Sequence, residues 1–338
     1  MKLTLRFLTM ANIFVTGGTG FIGIPLVKKL HGLGHHIKVL IRETSDISPF
    51  EDLTGIEYVI GDTRDIDSLN KTTENVDIIY HLAAYTRMWA KDRSIFEDVN
   101  IKGTENIAKI AIDKNLRLIY VSSFIALGAT PIEPVDETFE SENGLFLDYA
   151  KTKFRAKRLI KDYIAKGLDV TIIYPGIAYG PRDFNIFGQI ILEIATNSFM
   201  GCPGKGTNVG SFVYVQDIAN GLANLVDRKD LGGEEFILGG INTVFSDWLD
   251  LIAEISGAKK KVRHFPMRIA LLYGWLYEMA TKLTKKMPYI NRATIKMINY
   301  NWSYSSKKAM QTLGYKITPL REGLEPTIKW YKDFTEGP

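Results

Sequence analysis

The sequence predicts an α/β protein, a doubly wound parallel sheet followed by a smaller, mainly helical C-terminal lobe. Three observations carry that expectation. Short apolar runs alternate with helical patterns through the first half of the chain. A glycine-rich turn joins the first strand to the first helix, and beyond Pro175 the alternation loosens into Gly- and Pro-containing loops. With 338 residues and 46% hydrophobic content, the chain can bury a full core, as one large domain or two unequal ones.

Asn12 to Thr16 reads as a buried strand, and Phe21 to Leu33 as a helix ending at Gly34. His36 to Ile41 is the next strand, completing one β-α-β unit. Further strand patterns lie at Glu57 to Ile60, Asp77 to Ala83, Leu116 to Ser122 and Asp169 to Tyr174, with helical patterns at Ser94 to Asp113 and Tyr149 to Lys166. Such alternation argues for parallel strands covered by helices on both faces. Phe212 to Val215 is expected to be a strand with a helix, Gln216 to Arg228, behind it, returning the chain to the first domain. The resulting division gives a nucleotide-binding domain at 10–178 plus about 209–240, a substrate lobe at about 179–208 and 241–312, and a C-terminal segment at 313–338. No repeat of solenoid period and no low-complexity linker interrupts it.

The single cysteine, Cys202, excludes an internal disulfide framework and fits a reducing cytoplasm. Met1 to Thr9 carries Lys2 and Arg6 but no apolar core with a small-residue cleavage site, so it reads as an extension, with Met10 as an alternative start. Net charge is +4, yet from Lys259 to Lys308 twelve Lys or Arg stand against one acid, Glu278. That asymmetry suits an anionic partner or a membrane surface, or else solvated charge; a nucleic-acid partner is not expected. Phe265 to Leu283 is aromatic and aliphatic but is broken by Arg268 and Glu278, too short for the ~20 apolar residues of a bilayer span. A core or dimer-facing helix is the first reading, and an interfacial membrane helix the second.

The loop Gly17-Gly18-Thr19-Gly20-Phe21-Ile22-Gly23 lies between a strand and a helix. Glycine lets backbone N–H groups approach a pyrophosphate and the following helix dipole favours its charge; a plain tight turn is the alternative. Arg42 ends the second strand, where a site preferring NAD(H) places an acid against the ribose hydroxyls. An arginine there can take a 2′-phosphate, so NADP(H) is favoured, while the adjacent Glu43 leaves NAD(H) open. Asp62, followed by Thr63, either accepts from an adenine amino group or caps the next helix. Leu82, Ala83 and Ala84 close the fourth strand, where the small alanines would let a cofactor lie against the backbone, whereas His81 reads as packed and satisfied.

Tyr149 and Lys153 stand four residues apart, so a helix puts both on one face. A phenol of pKa ~10 needs a shift of ~3 units, or ~4 kcal/mol, to ionise at neutral pH. One positive charge ~4 Å away contributes about that much at an effective dielectric near 20, so Lys153 is expected to lower the Tyr149 pKa. In the reductive direction Tyr149 is instead the proton donor. Ser123 is expected to hold the substrate oxygen, with Ser122 the less favoured of the two. Tyr85, Met88 and Trp89 follow the fourth strand, where open α/β sheets place their ligands, and Tyr179 and Phe187 are candidates from the other side. A loop packing onto the second lobe is the equal alternative for the first three. No metal site is expected.

Taken together, Thr16 to Gly23, the Asp77 to Ala84 strand, Ser122-Ser123 and Tyr149 to Lys153 resemble the extended short-chain dehydrogenase/reductases, the NAD-dependent epimerase/dehydratase family. The resemblance covers nearly the whole chain. It implies a Rossmann domain, a catalytic set of Ser123, Tyr149 and Lys153, and a small-molecule substrate held by the C-terminal lobe. Asn100 matches a further active-site position, and Tyr174, Pro175, Gly176 and Ile177 match the segment that lines the nicotinamide. A homodimer through the Ser94 to Asp113 and Tyr149 to Lys166 helices is also implied, although Lys151, Arg155, Lys157 and Arg158 suit a solvated face equally. Arg42 to Asp46 and Tyr85 to Asp92 look most like the dihydroflavonol-reductase-like branch and the hopanoid-associated sugar epimerases. Phe212 to Asp217 and Trp302 to Tyr315 are similar to the 3β-hydroxysteroid dehydrogenase-like group. Many nucleotide-sugar epimerases carry a diphosphate-binding arginine where Asn208 to Ser211 stands here, with Arg182 or Lys259 to Lys261 as candidates to compensate. A carbonyl reductase or hydroxyl dehydrogenase therefore ranks first. An epimerase or dehydratase with tightly bound cofactor ranks second, and a non-catalytic cofactor-binding protein third.

Overall fold

Ile13 and Val15 of the first strand turn to one side of a sheet and Phe14 to the other, and all three are buried, so both faces must carry helices. The computed structural model describes residues 10–284 and 291–336. The extension at Met1 to Thr9, and Lys285 and Lys286 of the basic stretch, lie outside the described residues.

In chain order the first half runs β1 (Asn12–Thr16), α1 (Gly23–Gly32), β2 (His36–Ile41), β3 (Glu57–Ile60), α2 (Ile66–Thr72), β4 (Ile78–His81), α3 (Ser94–Glu97), α4 (Thr104–Asp113), β5 (Arg117–Val121), α5 (Asp148–Ala165) and β6 (Val170–Pro175). The second half runs β7 (Ile177–Tyr179), α6 (Ile186–Ala195), β8 (Cys202–Pro203), β9 (Val209–Tyr214), α7 (Val215–Ala223), β10 (Glu235–Leu238), β11 (Ile241–Val244), α8 (Phe245–Ser256), β12 (His264–Phe265), α9 (Met267–Thr284), α10 (Arg292–Ile298), α11 (Lys307–Leu313) and α12 (Leu320–Glu336). Seven parallel strands form the main sheet in the order β10-β6-β5-β4-β1-β2-β3. The order reverses between β1 and β4, which is where such a sheet opens a crevice beyond its carboxyl ends.

One face is covered by α1 and α7, whose Leu26, Val27, Leu30, Ile218 and Leu222 pack on Ile13, Val15, Val39 and Tyr80. Full burial of each large aliphatic side chain contributes roughly 1.5–3 kcal/mol. The other face is covered by α2, α4 and α5 through Leu69, Ile107, Ile110 and Ile160. Between α3 and α4 a π-helical turn, Asp98–Gly103, interrupts what the sequence presents as one helix. Lys157 of α5 is buried and pairs with Glu140, so that part of the helix is not a solvated face.

The Phe212 to Val215 pattern does form a strand, β9, but it pairs with β7 and β11 in a separate three-stranded sheet. The chain returns to the main sheet through α7 and β10 instead. Beyond that small sheet, Phe212 stacks on Trp248 of α8 at 4.4 Å, and α6, α8 and α12 close around the pair. α9 is not the core helix that its composition suggested. Among its described side chains only Ala270, Gly274 and Thr281 are buried, and Leu272, Trp275, Leu276 and Met279 face outward.

Candidate active site

The carboxyl ends of β1, β2, β3, β4 and β5 border one cleft of about 480 Å³. Gly17, Thr19, Gly20, Phe21, Ile22 and Gly23 line its floor, Arg42, Asp62 and Thr63 its β2–β3 end, and Leu82, Ala83, Ala84 and Tyr85 its centre. Ser122, Tyr149 and Lys153 stand at the β5 end. Thus residues scattered over 137 positions of sequence converge because every one of them follows a strand or opens the helix beside it.

The glycine turn is required sterically. A Cβ on Gly17, whose φ is +72°, meets the Ala83 nitrogen at 2.7 Å, and one on Gly23 meets the Gly17 carbonyl oxygen at 2.1 Å. α1 follows with no side-chain cap and no acid in its first turn, leaving its N–H groups and dipole for an anion. Behind it, Thr16 Oγ1 lies 2.7 Å from His81 Nδ1 and accepts from the Ala83 N–H at 3.3 Å, while His81 Nε2 meets Thr104 Oγ1 at 3.1 Å. Both ring nitrogens are used and burial brings the imidazole down to about 3, so His81 is the packed, satisfied histidine expected.

At the β2–β3 end Arg42 and Arg64 both border the cleft. Asp62 is not a helix cap: Asp65 caps α2 by accepting from the Asp67 and Ser68 N–H groups. Asp62 instead takes a two-pronged bond from Arg64, at 2.9 and 2.8 Å, which holds its carboxyl below the usual range. Arg182 does not stand on the Tyr149 side as a substrate contact. It pairs at 2.9 Å with Asp46 in the loop after β2.

At the β5 end, Lys153 Nζ donates to the Val121 carbonyl at 3.1 Å, and burial brings the ammonium down to about 7. Burial pushes the Tyr149 phenol up, with the hydrogen bond to Ser123 acting the other way. This corrects the expectation that Lys153 lowers the Tyr149 pKa: desolvation dominates both groups, disfavouring phenolate and ammonium alike. Ser123 Oγ is held by the Ile125 N–H at 3.4 Å, beside Tyr149. Ser122 lines the cleft with a buried hydroxyl that has no hydrogen-bond partner among the described residues.

Several expected contacts fall elsewhere. Asn100 sits in the π-helical turn, buried, and spends its amide on the Tyr85 backbone (2.7 and 3.2 Å) and on Thr152 Oγ1 (3.0 Å). It therefore braces the Tyr85 loop and does not border the cleft. The Tyr174 side chain points into the core and donates to Glu235 at 2.6 Å, Pro175 ends β6, and Ile177 borders a small apolar void with Phe124 and Phe187. Gly176 donates to the Leu238 carbonyl at 3.0 Å, so no side chain of this segment lines the cleft. Tyr179 is fully buried against Tyr214, and Phe187 packs on Phe212 and Trp248. Tyr179 is a core residue and Phe187 is half-buried against that core, because β7 and α6 build the small sheet's flank.

Met88 and Trp89 border a second cavity of about 440 Å³, shared with Arg93, Leu147, Asp148 and Asn291. Asp148 directly precedes Tyr149, so this cavity adjoins the start of the Tyr149–Lys153 helix; its walls mix charge with apolar surface. Asn291 reaches the Met88 carbonyl at 3.3 Å while capping α10. Sequence reasoning missed Arg64, Leu147 and Asn291. Arg64 was findable as a second cation after β3, whereas Asn291 reaches the site only by tertiary packing.

The cleft fits a dinucleotide. The glycine cradle and the uncapped α1 would hold its pyrophosphate, the two arginines its adenosine, and the orphaned Ser122 hydroxyl its nicotinamide end. This fold and this Ser-Tyr-Lys corner define an extended short-chain dehydrogenase/reductase. The family model described as the NAD dependent epimerase/dehydratase family matches residues 13–239, and the chain belongs to that family. It is similar, at 27% identity over 328 residues, to the sterol demethylase protein B of Methylococcus capsulatus, covering 94% of this chain and 98% of that one. A second relative, the N-acetyl-alpha-D-glucosaminyl-diphospho-ditrans,octacis-undecaprenol 4-epimerase of Escherichia coli O157:H7, is 26% identical over 327 residues, covering 94% and 95%. Among solved structures, that of gox2253 superposes with a TM-score of 0.81 at 30% identity, covering 95% of this chain and 98% of that one. The protein is an enzyme of this nicotinamide-dependent class, and among its described residues no helix is long and apolar enough to cross a membrane.

Proposed function

We propose that the enzyme is an NADP(H)-favouring reductase or dehydrogenase that interconverts a carbonyl and a secondary alcohol. The carrying observation is that Asn208 to Ser211, an uncharged stretch, offers no charge-assisted fork for a substrate diphosphate. Asn208 and Gly210 border the apolar void with Phe187, Phe212 and Trp302, and Val209 and Ser211 are tied to the Trp302 backbone. Arg182 is clasped by Asp46, while the Lys259 backbone N–H and the Lys260 ammonium bind Asn197, just beyond the end of α6. A lysine ammonium lacks the planar two-pronged geometry of an arginine fork.

A bound nicotinamide would supply or accept the hydride at the substrate carbon. Ser123 orients the substrate oxygen and Tyr149 gives it a proton. Burial keeps the phenol protonated at neutral pH, the form a donor needs in the reductive direction. As the phenolate forms, it favours the charged form of Lys153, whose pKa near 7 lets it respond. Arg42 and Arg64 together support the preference for a 2′-phosphate. Arg42→Ala is expected to raise the Michaelis constant for NADPH much more than for NADH, and equal effects would remove the preference.

An epimerase is the second reading, favoured by the named activity of the Escherichia coli relative. Turnover and melting measurements with uridine and thymidine diphosphate sugars separate the two. The reductase reading expects no stabilisation by either sugar, and oxidation of NADPH by a simple carbonyl. Stabilisation by a diphosphate sugar without net cofactor oxidation would reverse the ranking.

A further inference from the structure

The structure assigns α9 to a second task, independent of which carbonyl is reduced: seating the enzyme on an anionic lipid surface. Residues Ile269 to Tyr277 carry no charge, and the helix is anchored along one narrow line. Gly274 packs so closely on α10 that a Cβ would meet Ile295 Cδ1 at 2.8 Å and the Arg292 nitrogen at 3.0 Å. That contact fixes the rotation of the helix, and the opposite face is a stripe of Leu272, Trp275, Leu276 and Met279 at the spacing of successive turns. Leu272 is 55% exposed, Trp275 43% and Leu276 48%. The side chains are large, aliphatic or aromatic, and contiguous, a pattern unlike scattered surface leucines.

Three further features select lipid as the occupant. The stripe is rimmed on its N-terminal side by exposed Lys259, Lys260, Lys261, Arg263 and Arg268, none in an ion pair among the described residues. The single acid of the helix, Glu278, lies off the stripe and is paired with Arg292. An anionic headgroup layer neutralises this cationic rim. Finally, the apolar surface does not stop at the helix. Ile269, Tyr273 and Tyr277 continue it, with exposed Met200, into a cavity of about 320 Å³ walled by Ile190, Phe245 and Ile298. A helix with an apolar face, a basic rim and too few apolar residues to span is the form that lies in a bilayer interface.

The test is co-sedimentation of the full chain with vesicles of phosphatidylcholine alone, or with three parts in ten of phosphatidylglycerol, at 50 and 500 mM salt. The expected result is at least tenfold stronger binding to the anionic vesicles at 50 mM salt, weakened at 500 mM. Leu272→Glu with Leu276→Glu is expected to reduce binding at least tenfold, as is the triple charge reversal of Lys259, Lys260 and Lys261. Far-UV circular dichroism and the melting temperature establish that each variant is folded. Absence of wild-type binding to anionic vesicles at 50 mM salt would overturn the assignment. So would unchanged binding by both folded variants, or sedimentation velocity showing that the leucine variant dissociates a wild-type dimer.

Discussion

Tyr149 and Lys153 respond to the same burial in opposite directions, because one is neutral and the other charged when protonated. Removing the phenol hydroxyl by Tyr149→Phe takes away the proton donor while leaving the packing, so kcat should fall by roughly 10²–10⁴-fold with cofactor affinity largely kept. Unchanged turnover in a stopped assay of substrate reduction would rule Tyr149 out. Lys153 carries a stability consequence as well. Its folded value of about 7 lies below the unfolded value near 10.4, so between these pH values the unfolded chain binds more protons and stability rises with pH. Lys153→Met is therefore expected to be the more stable protein at pH 7, by on the order of 4 kcal/mol. That advantage should shrink toward pH 10, as urea unfolding at several pH values would reveal; a constant difference across that range would contradict the buried-charge account. The gain comes with loss of activity, as expected of a residue retained for function against stability.

At the scale of elements, the turn into α1 and the π-helical turn before α4 do related work. The first lets backbone approach closely, and the second places the Asn100 amide. Gly23 is the tightest point, since any side chain collides with the Gly17 carbonyl. Gly23→Ala should cost about 1–3 kcal/mol of stability through overpacking and should also weaken dinucleotide binding, because the displaced turn is the phosphate cradle. Denaturant melts with and without NADPH distinguish the two effects. Asn100 uses its turn differently, answering three polar groups of the Tyr85 loop and α5 with one amide. α9 shows how an element can be predicted correctly as a helix while its surroundings are misjudged. Apolar composition implies a partner, but does not say whether that partner is core, protein or lipid.

Across the whole molecule, the reversal of strand order between β1 and β4 gathers loops from five strands at one rim. A ligand bound there touches residues from both halves of the sheet, so binding and global stability are linked. NADPH at 100 times its dissociation constant should add ~2.7 kcal/mol, seen as a rise of several degrees in Tm. No shift with either nicotinamide dinucleotide would be incompatible with the cleft described. The C-terminal lobe adds the second cavity beside Asp148, and through α9 it puts an apolar face on the outside of the same lobe.

Much of this was legible in the sequence. β1, β2 and β3 fall at the residues their patterns predict, because buried parallel strands are short, apolar and bounded by turns. That the glycine turn, Arg42, Tyr149 and Lys153 stand at the rim of one cleft was also readable, since each depends on local spacing and on its place at a strand end or at the start of a helix. What the tertiary structure decided is the set of relations that spacing does not encode. Asp62 is bound by Arg64, Arg182 is drawn to Asp46, Tyr179 vanishes into the core and Phe187 packs half-buried against it. The sign of the Tyr149 shift depends on how much solvent the fold removes, a quantity set by every neighbour at once. Local pattern determines which groups stand at the rim of the sheet; three-dimensional packing determines their partners, their charge and the face left uncovered.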